Sequence, residues 1–158
     1  MAGGASVDGT GTAARFTRYN SIYYSRKHDI LLVRDDSAVI RSINTVTGAT
    51  SILAGTRYYG GSADGPVATA TIEASAGFTA MDSNGNVYFT QGYCIRKVSG
   101  GNVNVWVGNE ALSGNTDNSG TNARFNSITG LAFDDSDNLY VGQADCIRKI
   151  TTAGKNNL

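Results

Sequence analysis

An all-β fold is predicted by three observations: a composition rich in turn formers and poor in helix formers, short apolar segments parted by hairpin signals, and a threefold recurrence of those segments. The 158 residues include 20 Gly, one Pro and eight Tyr, with only two Glu against eleven Asp. Glu favours helix interiors whereas Asp and Gly favour turns, so no long helix is expected anywhere. The length is that of about one domain, at the small end for a large closed β architecture.

The elements recur in a fixed order. "DGTGTAARF" (Asp8 to Phe16), "DGPVATATI" (Asp64 to Ile72) and "DNSGTNARF" (Asp117 to Phe125) open three repeats, 56 and 53 residues apart. Next come "SIYY", "GFTAMD" and "GLAFD", then "DILLV", "NVYFT" and "NLYVG", then "VIRSI", "CIRKV" and "CIRKI". Each segment is rich in Val, Ile, Tyr and Phe, and "SNGN", "DSDN", "SGG" and "VTG" between them are hairpin turn signals. A fourth segment closes each repeat, as "TSILAG", "VNVWVG" and "KNNL". Each repeat therefore reads as a meander of four antiparallel strands, over residues 4–55, 56–108 and 109–158 plus 2–3. The third set borrows residues 2–3 because Leu158 reads into Ala2-Gly3 as Leu53 reads into Ala54-Gly55.

Four-stranded antiparallel units at this period are β-propeller blades, packed face to face about an axis. The D-G turn, the A-R-F element, the G-[LF]-A-x-D, N-[LV]-Y-[VF] and I-R-K-[IV] strands and the L-A-G ending together resemble the NHL repeat over nearly the whole chain. The third copy, "DNSGTNARFNSITGLAFDDSDNLYVGQADCIRKIT", matches throughout, while "SIYYSRKHDILLV" in the first departs from the pattern. Three blades cannot close, and an open arc exposes an apolar face at each end. Two chains give six blades, a number that the resemblance implies is common, so the expected partner is a second copy: a homodimer forming one six-bladed ring.

Formal net charge is zero, which lacks the electrostatic footprint of a general nucleic-acid binder. Arg41, Arg96 and Arg148 recur at one position per repeat. Their stems are expected to cover the sheet and their heads to pair with turn carboxylates, while Asp35, Asp36 and Asp145 near the same strand starts would repel phosphate. His28 is expected to be an exposed loop residue. The resemblance extends to amidating lyases that depend on several metal-binding histidines, and one cannot serve. Glu73 and Glu110 fall in different loops, and the Asp residues occupy turns where they cap their own backbone. No G-x-S-x-G elbow is present. The chain thus reads as a non-enzyme with no cofactor and no metal. Cys94 and Cys146 stand where the first repeat has Val39, and are expected to be small core residues.

The candidate contact surface is aromatic. "TRYYGG" places Arg57, Tyr58 and Tyr59 in the longest inter-repeat loop, and in a propeller such loops share a face with the middle-strand loops carrying Gln91, Tyr93, Gln143 and Asp145. Tyr with Gln and Arg is the composition of a recognition surface, although Tyr58 and Tyr59 could equally pack the loop onto its own blade. The expected function is a binding and assembly module for a protein or peptide. A multivalent lectin for glycans is the alternative, and an RNA-binding module the lesser one. No stretch approaches 18 consecutive apolar residues, and the start has neither a basic nor an apolar leader region, so a soluble chain is expected whose parent could be extracellular.

Overall fold

The computed structural model describes residues 5–75 and 77–157, the last two by backbone alone. The expected passage from Leu158 to Ala2-Gly3 lies outside the described residues. Two compact units divide the chain. The first runs to Thr79 and includes Gly100–Val103; the second holds Ala80–Ser99 and the chain from Asn104 on.

Three antiparallel sheets account for the fold. The first comprises β1 (Gly9–Thr10), β2 (Tyr19–Ser25), β3 (Ile30–Asp35), β4 (Val39–Asn44) and β5 (Ala49–Ala54), in the order β1-β5-β4-β3-β2. The second comprises β6 (Gly65–Pro66), β7 (Thr79–Met81), β8 (Val87–Gln91), β9 (Cys94–Ser99) and β10 (Asn102–Gly108), in the order β6-β10-β9-β8-β7. The third is β11 (Ile128–Phe133), β12 (Leu139–Gln143), β13 (Ile147–Ile150) and β14 (Asn156–Asn157), in sequence order. The expected four-stranded meander is present, but the first two sheets carry a fifth, two-residue strand. The D-G turn supplies it: Gly9 and Thr10 pair with Thr50 and Ala49, and Gly65 and Pro66 pair with Val103 and Asn102.

Turn chemistry sets the hairpins. Asp82 accepts the amides of Asn84 and Asn86 at 3.0 and 2.9 Å and the Tyr88 hydroxyl at 3.1 Å. Asp134 likewise accepts the amides of Ser136 and Asn138 at 3.0 and 2.8 Å. Both are short Asp side chains bonding their own backbone, as the turn signals predict. His28 differs from expectation, being half-buried within the turn of residues 26–29, where the Thr45 amide and hydroxyl both donate to the Asp29 carbonyl.

Pairing register assigns the faces, since opposed residues point to the same side and successive ones alternate. In the first sheet, Leu31 opposes Ile43 and Val33 opposes Arg41, whereas Leu32 and Ile40 face the other way. In the third, Leu139 and Val141 lie with Ile150 and Arg148, whereas Tyr140 lies with Lys149. The core of the second unit combines Leu139, Val141, Ile150 and Phe125 with Tyr88, Ile95 and Val107, all buried. Tyr88 sits edge-on to Trp106 and to Phe133, at 4.8 and 4.9 Å between ring centroids. In the first unit Leu32, Ile40, Ala54, Ala70 and Ile72 are fully buried.

In the first two repeats the outer strand leads into a glycine that nothing larger can replace. Gly55 has φ +96°, and a Cβ there would meet the Ala38 carbonyl at 2.5 Å and Ile72 at 3.2 Å. Gly108 has φ +92°, and a Cβ would meet the Tyr93 carbonyl at 2.6 Å and the Phe125 ring at 2.9 Å. The same two glycines explain a correction concerning cysteine. Cys94 is buried as expected, with its Cα beside Gly108, but Cys146 is exposed. Among the described residues the third repeat has no such glycine segment passing over Cys146.

Gly108→Ala should therefore destabilise severely, by about 3 kcal/mol or more, since left-handed strain adds to backbone overlap. Gly100→Ala, at φ +57° with open space around it, should cost only about 1 kcal/mol. Denaturant melts of the two variants check this, and equal losses would refute the packing argument.

Candidate functional site

A buried guanidinium organises the turn end of each repeat. Arg41, Arg96 and Arg148 are 0%, 0% and 2% exposed. Arg41 donates to the Val7 and Arg15 carbonyls, and Arg148 to those of Thr116 and Arg124. Each also reaches the last residue of its neighbouring inner strand: Arg41 to the Asp35 carboxylate, Arg96 to the Gln91 amide oxygen, and Arg148 to that of Gln143, all at 3.3 Å. Asp8 lies 3.0 Å from Arg41, and Asp117 lies 2.6 Å from Arg148, so the expected pairing with turn carboxylates holds in those two repeats.

Gln91 and Gln143 consequently depart from the expected contact surface. They are 2% and 7% exposed, and their amides also donate to Glu110 at 2.9 Å and to Asn115 at 3.3 Å. A polar side chain beside a buried charge is recruited inward, because the charge requires an acceptor that water cannot supply. Asp145 is exposed and Tyr93 is 37% exposed, its amide bonded to the Glu110 carbonyl at 3.2 Å. The turn between β8 and β9 and the loop after β10 thus meet on one side of the second unit.

The first unit repeats this arrangement with different chemistry. The Tyr58 amide donates to the Ser37 carbonyl at 2.7 Å, joining the loop after β5 to the turn between β3 and β4. Arg57 is half-buried and committed: it donates to Asp8 at 2.6 Å and to the Ser6 hydroxyl at 3.4 Å. Ser6 donates in turn to Asp35 at 2.9 Å. Asp8 and Asp117 are partners that the residue types had not marked individually, although their recurrence at the head of a repeat is the signal that could have found them.

Tyr58 and Tyr59 remain outside. They are 61% and 70% exposed. Tyr58 has φ +64°, which disfavours a side chain by about 1 kcal/mol. It is nevertheless pinned at both ends, by its amide and by its hydroxyl, which accepts the Ser6 amide at 3.0 Å. The Tyr59 amide closes the turn onto the Thr56 carbonyl at 3.1 Å. The Tyr58 ring is thus held at a fixed position, with its hydroxyl on the buried Ser6 amide and most of its surface exposed.

Among the described residues no three His, Cys, Asp or Glu side chains gather as metal ligands would. Among the described residues no helix is long and apolar enough to cross a membrane.

No family model matches this chain, and no curated protein does. Solved structures do resemble it. A structural genomics protein of unknown function from Bacteroides thetaiotaomicron superposes with a TM-score of 0.65 at 23% identity, over 81% of this chain and 34% of its own. An auxiliary nutrient binding protein from the same organism gives 0.58 at 19%, over 77% and 34%. Another from Bacteroides ovatus gives 0.65 at 15%, over 91% and 36%. At these identities the likeness is one of fold, and the chain spans about a third of the length of each.

Burial pushes the Asp35 carboxyl up, but hydrogen bonds from the Ser37 amide, the Ser6 hydroxyl and Arg41 outweigh it and hold the group below the ordinary carboxylate value. A depressed folded value means that Asp35 contributes stability above its unfolded pKa of about 3.9, lost as pH falls through the lower folded value. Asp35→Asn should cost about 3 kcal/mol near neutrality, because it leaves the buried Arg41 charge with the partly exposed Asp8 as its one carboxylate partner among the described residues. The gap between the variant and the original should narrow below about pH 4 as the original protonates. Urea melts across pH check this; a gap independent of pH would contradict it.

Proposed function

We propose that this chain is a non-enzymatic binding module of the NHL propeller type: three blades that close with a second copy into a six-bladed ring and offer their loop ends to a protein or peptide. Arg57, Tyr58, Tyr59 and Tyr93 are its contact residues, with Asp145 at the equivalent turn of the third repeat. The carrying observation is Tyr58, whose ring is mostly exposed although its backbone is strained and the residue is held by its amide and by its hydroxyl. Strain retained at a surface position, with no burial to compensate it, points to use of that side chain. Rigid tyrosines supply contact area at small entropic loss.

Several observations support the reading. Asp35, Asp82 and Asp134 are engaged by turn or core hydrogen bonds, which leaves them occupied rather than poised for acid-base chemistry. The buried arginines offer no phosphate-binding ring, so nucleic acid is disfavoured. The nutrient-binding role named for two of the similar structures is compatible with a binding module.

A peptide library and a glycan array, each probed with the original chain and with Tyr58→Ala/Tyr59→Ala, test this. The double variant should keep its circular dichroism spectrum and lose at least about tenfold in affinity, as truncation of interface tyrosines does. Glycan binding alone would select the lectin reading. A ligand bound equally by both chains would overturn the assignment of the surface, and turnover of a bound ligand would overturn the non-enzymatic reading.

A further inference from the structure

Two sheet faces lie bare, one in each unit, and both have a covered counterpart. In the first unit Phe16, Tyr19, Ile22, Leu31, Val33 and Ile43 line an apolar hollow of about 170 Å³ on the face of β2, β3 and β4. Tyr19 and Ile22 are 64% and 60% exposed. In the second unit Gly130, Leu131, Ala132, Tyr140, Gly142 and Ile147 line a second hollow, of about 260 Å³, and by register all of them but Leu131 point to the face of β11, β12 and β13 away from the core. Ile147 is 64% exposed there, whereas Ile95, its repeat counterpart, is fully buried.

Register maps these bare faces onto an interface that the second unit already contains. Tyr19, Ile22 and Tyr24 oppose Asp35, Val33 and Leu31, as Ile128, Leu131 and Phe133 oppose Gln143, Val141 and Leu139. Phe16 ends the A-R-F element as Phe125 does, and each lies under its repeat's arginine, at 4.1 and 4.5 Å from the ring centroid. The hollow of the first sheet is therefore the counterpart, residue for residue, of the face that the third sheet buries in the core. Tyr140 and Ile147 are likewise the counterparts of Tyr88 and Ile95, the residues packed against that face. The chain carries both halves of an interface whose closed form it already displays.

We infer that the occupant of each bare face is the other bare face on a second copy of this chain: the outer side of the third sheet seats on the Phe16 face of the first sheet, and the two-fold partner does the same in return. This rests on the dimeric reading above and adds its register. Tyr140 of one copy then meets Tyr24 of the other edge to face, as Tyr88 meets Phe133. Like-on-like pairing of two first sheets leaves this complementarity unused.

Charge exchange across that contact separates the two ideas. The original chain should have twice the 16.5 kDa chain mass in light scattering at micromolar concentration. Tyr24→Lys and Tyr140→Glu, each alone, should be folded monomers, since both seams then bury an unpaired charge. Mixed in equal amounts they should recover the dimer mass, because one seam holds Lys against Glu and the other is unaltered. A monomeric original chain overturns both the dimer and its register. A dimeric original chain whose variants stay dimeric, or whose mixture stays monomeric, overturns the register and leaves the dimer standing. Should a charged variant fail to fold, Tyr24→Cys/Tyr140→Cys in a Cys146→Ser background replaces it: a short bismaleimide should link two chains, and a single-chain product refutes the register.

Discussion

A guanidinium cut off from water at the turn end of each repeat is the constraint from which the rest follows. Removing a charge from water is expensive unless acceptors surround it. Arg41 and Arg148 obtain theirs from backbone carbonyls of the segment that opens the repeat, from the aspartate heading that segment, and from the residue ending the adjacent inner strand. Three stretches distant in sequence are thereby fixed to one group. Planar, multiply donating arginine suits this, and lysine would not reach all the acceptors.

The fixed segment carries the packing anchor. Phe125 lies against Arg148, so the guanidinium sets where the ring stands, and the ring in turn crowds Gly108 at the end of the preceding outer strand. Ile72 stands in the same relation to Gly55. In the third repeat electrostatic satisfaction therefore bears on hydrophobic contact with the repeat before it, through Arg148, Phe125 and Gly108. Altering any one leaves the others with an unfilled or overfilled space.

Much of the strand layout was legible because short segments rich in Val, Ile, Tyr and Phe, and the Asp or Asn-Gly turns between them, are local signals that recur in each repeat. Asp82 and Asp134 cap their turns as their residue types require. Facing was not local. Leu139 and Tyr140 are adjacent apolar residues in one strand, and only pairing register shows that the first is buried in the core and the second lies on the outer side. Gln91 and Gln143 read as surface groups because glutamine usually is; the neighbouring arginine, reached through strand pairing, draws them inside. Cys146 misled for a related reason, since its position is core only where a glycine segment passes over it. The fifth strands from the D-G turns were missed because two residues carry no periodicity. Tyr58 and Tyr59 allowed two readings, and the structure adds to them that both rings are mostly exposed while the Tyr58 hydroxyl is bonded to Ser6.

Two kinds of unfilled surface remain, and their physics differs. The faces of the first and third sheets are broad and backed by rigid strands, and the hollow on the first is wholly apolar. Such surfaces gain little from transient contact and resemble the inside of a domain cut open, which favours a lasting partner. The loop end is the opposite: isolated tyrosine rings, each beside hydrogen-bonding groups, on a frame held by salt bridges beneath. Water can occupy that surface at little cost and be displaced again, which suits an exchangeable ligand. The proposed assembly through the sheet faces and the proposed recognition through the loops would therefore draw on separate residues, so that a substitution in one set would leave the other in place.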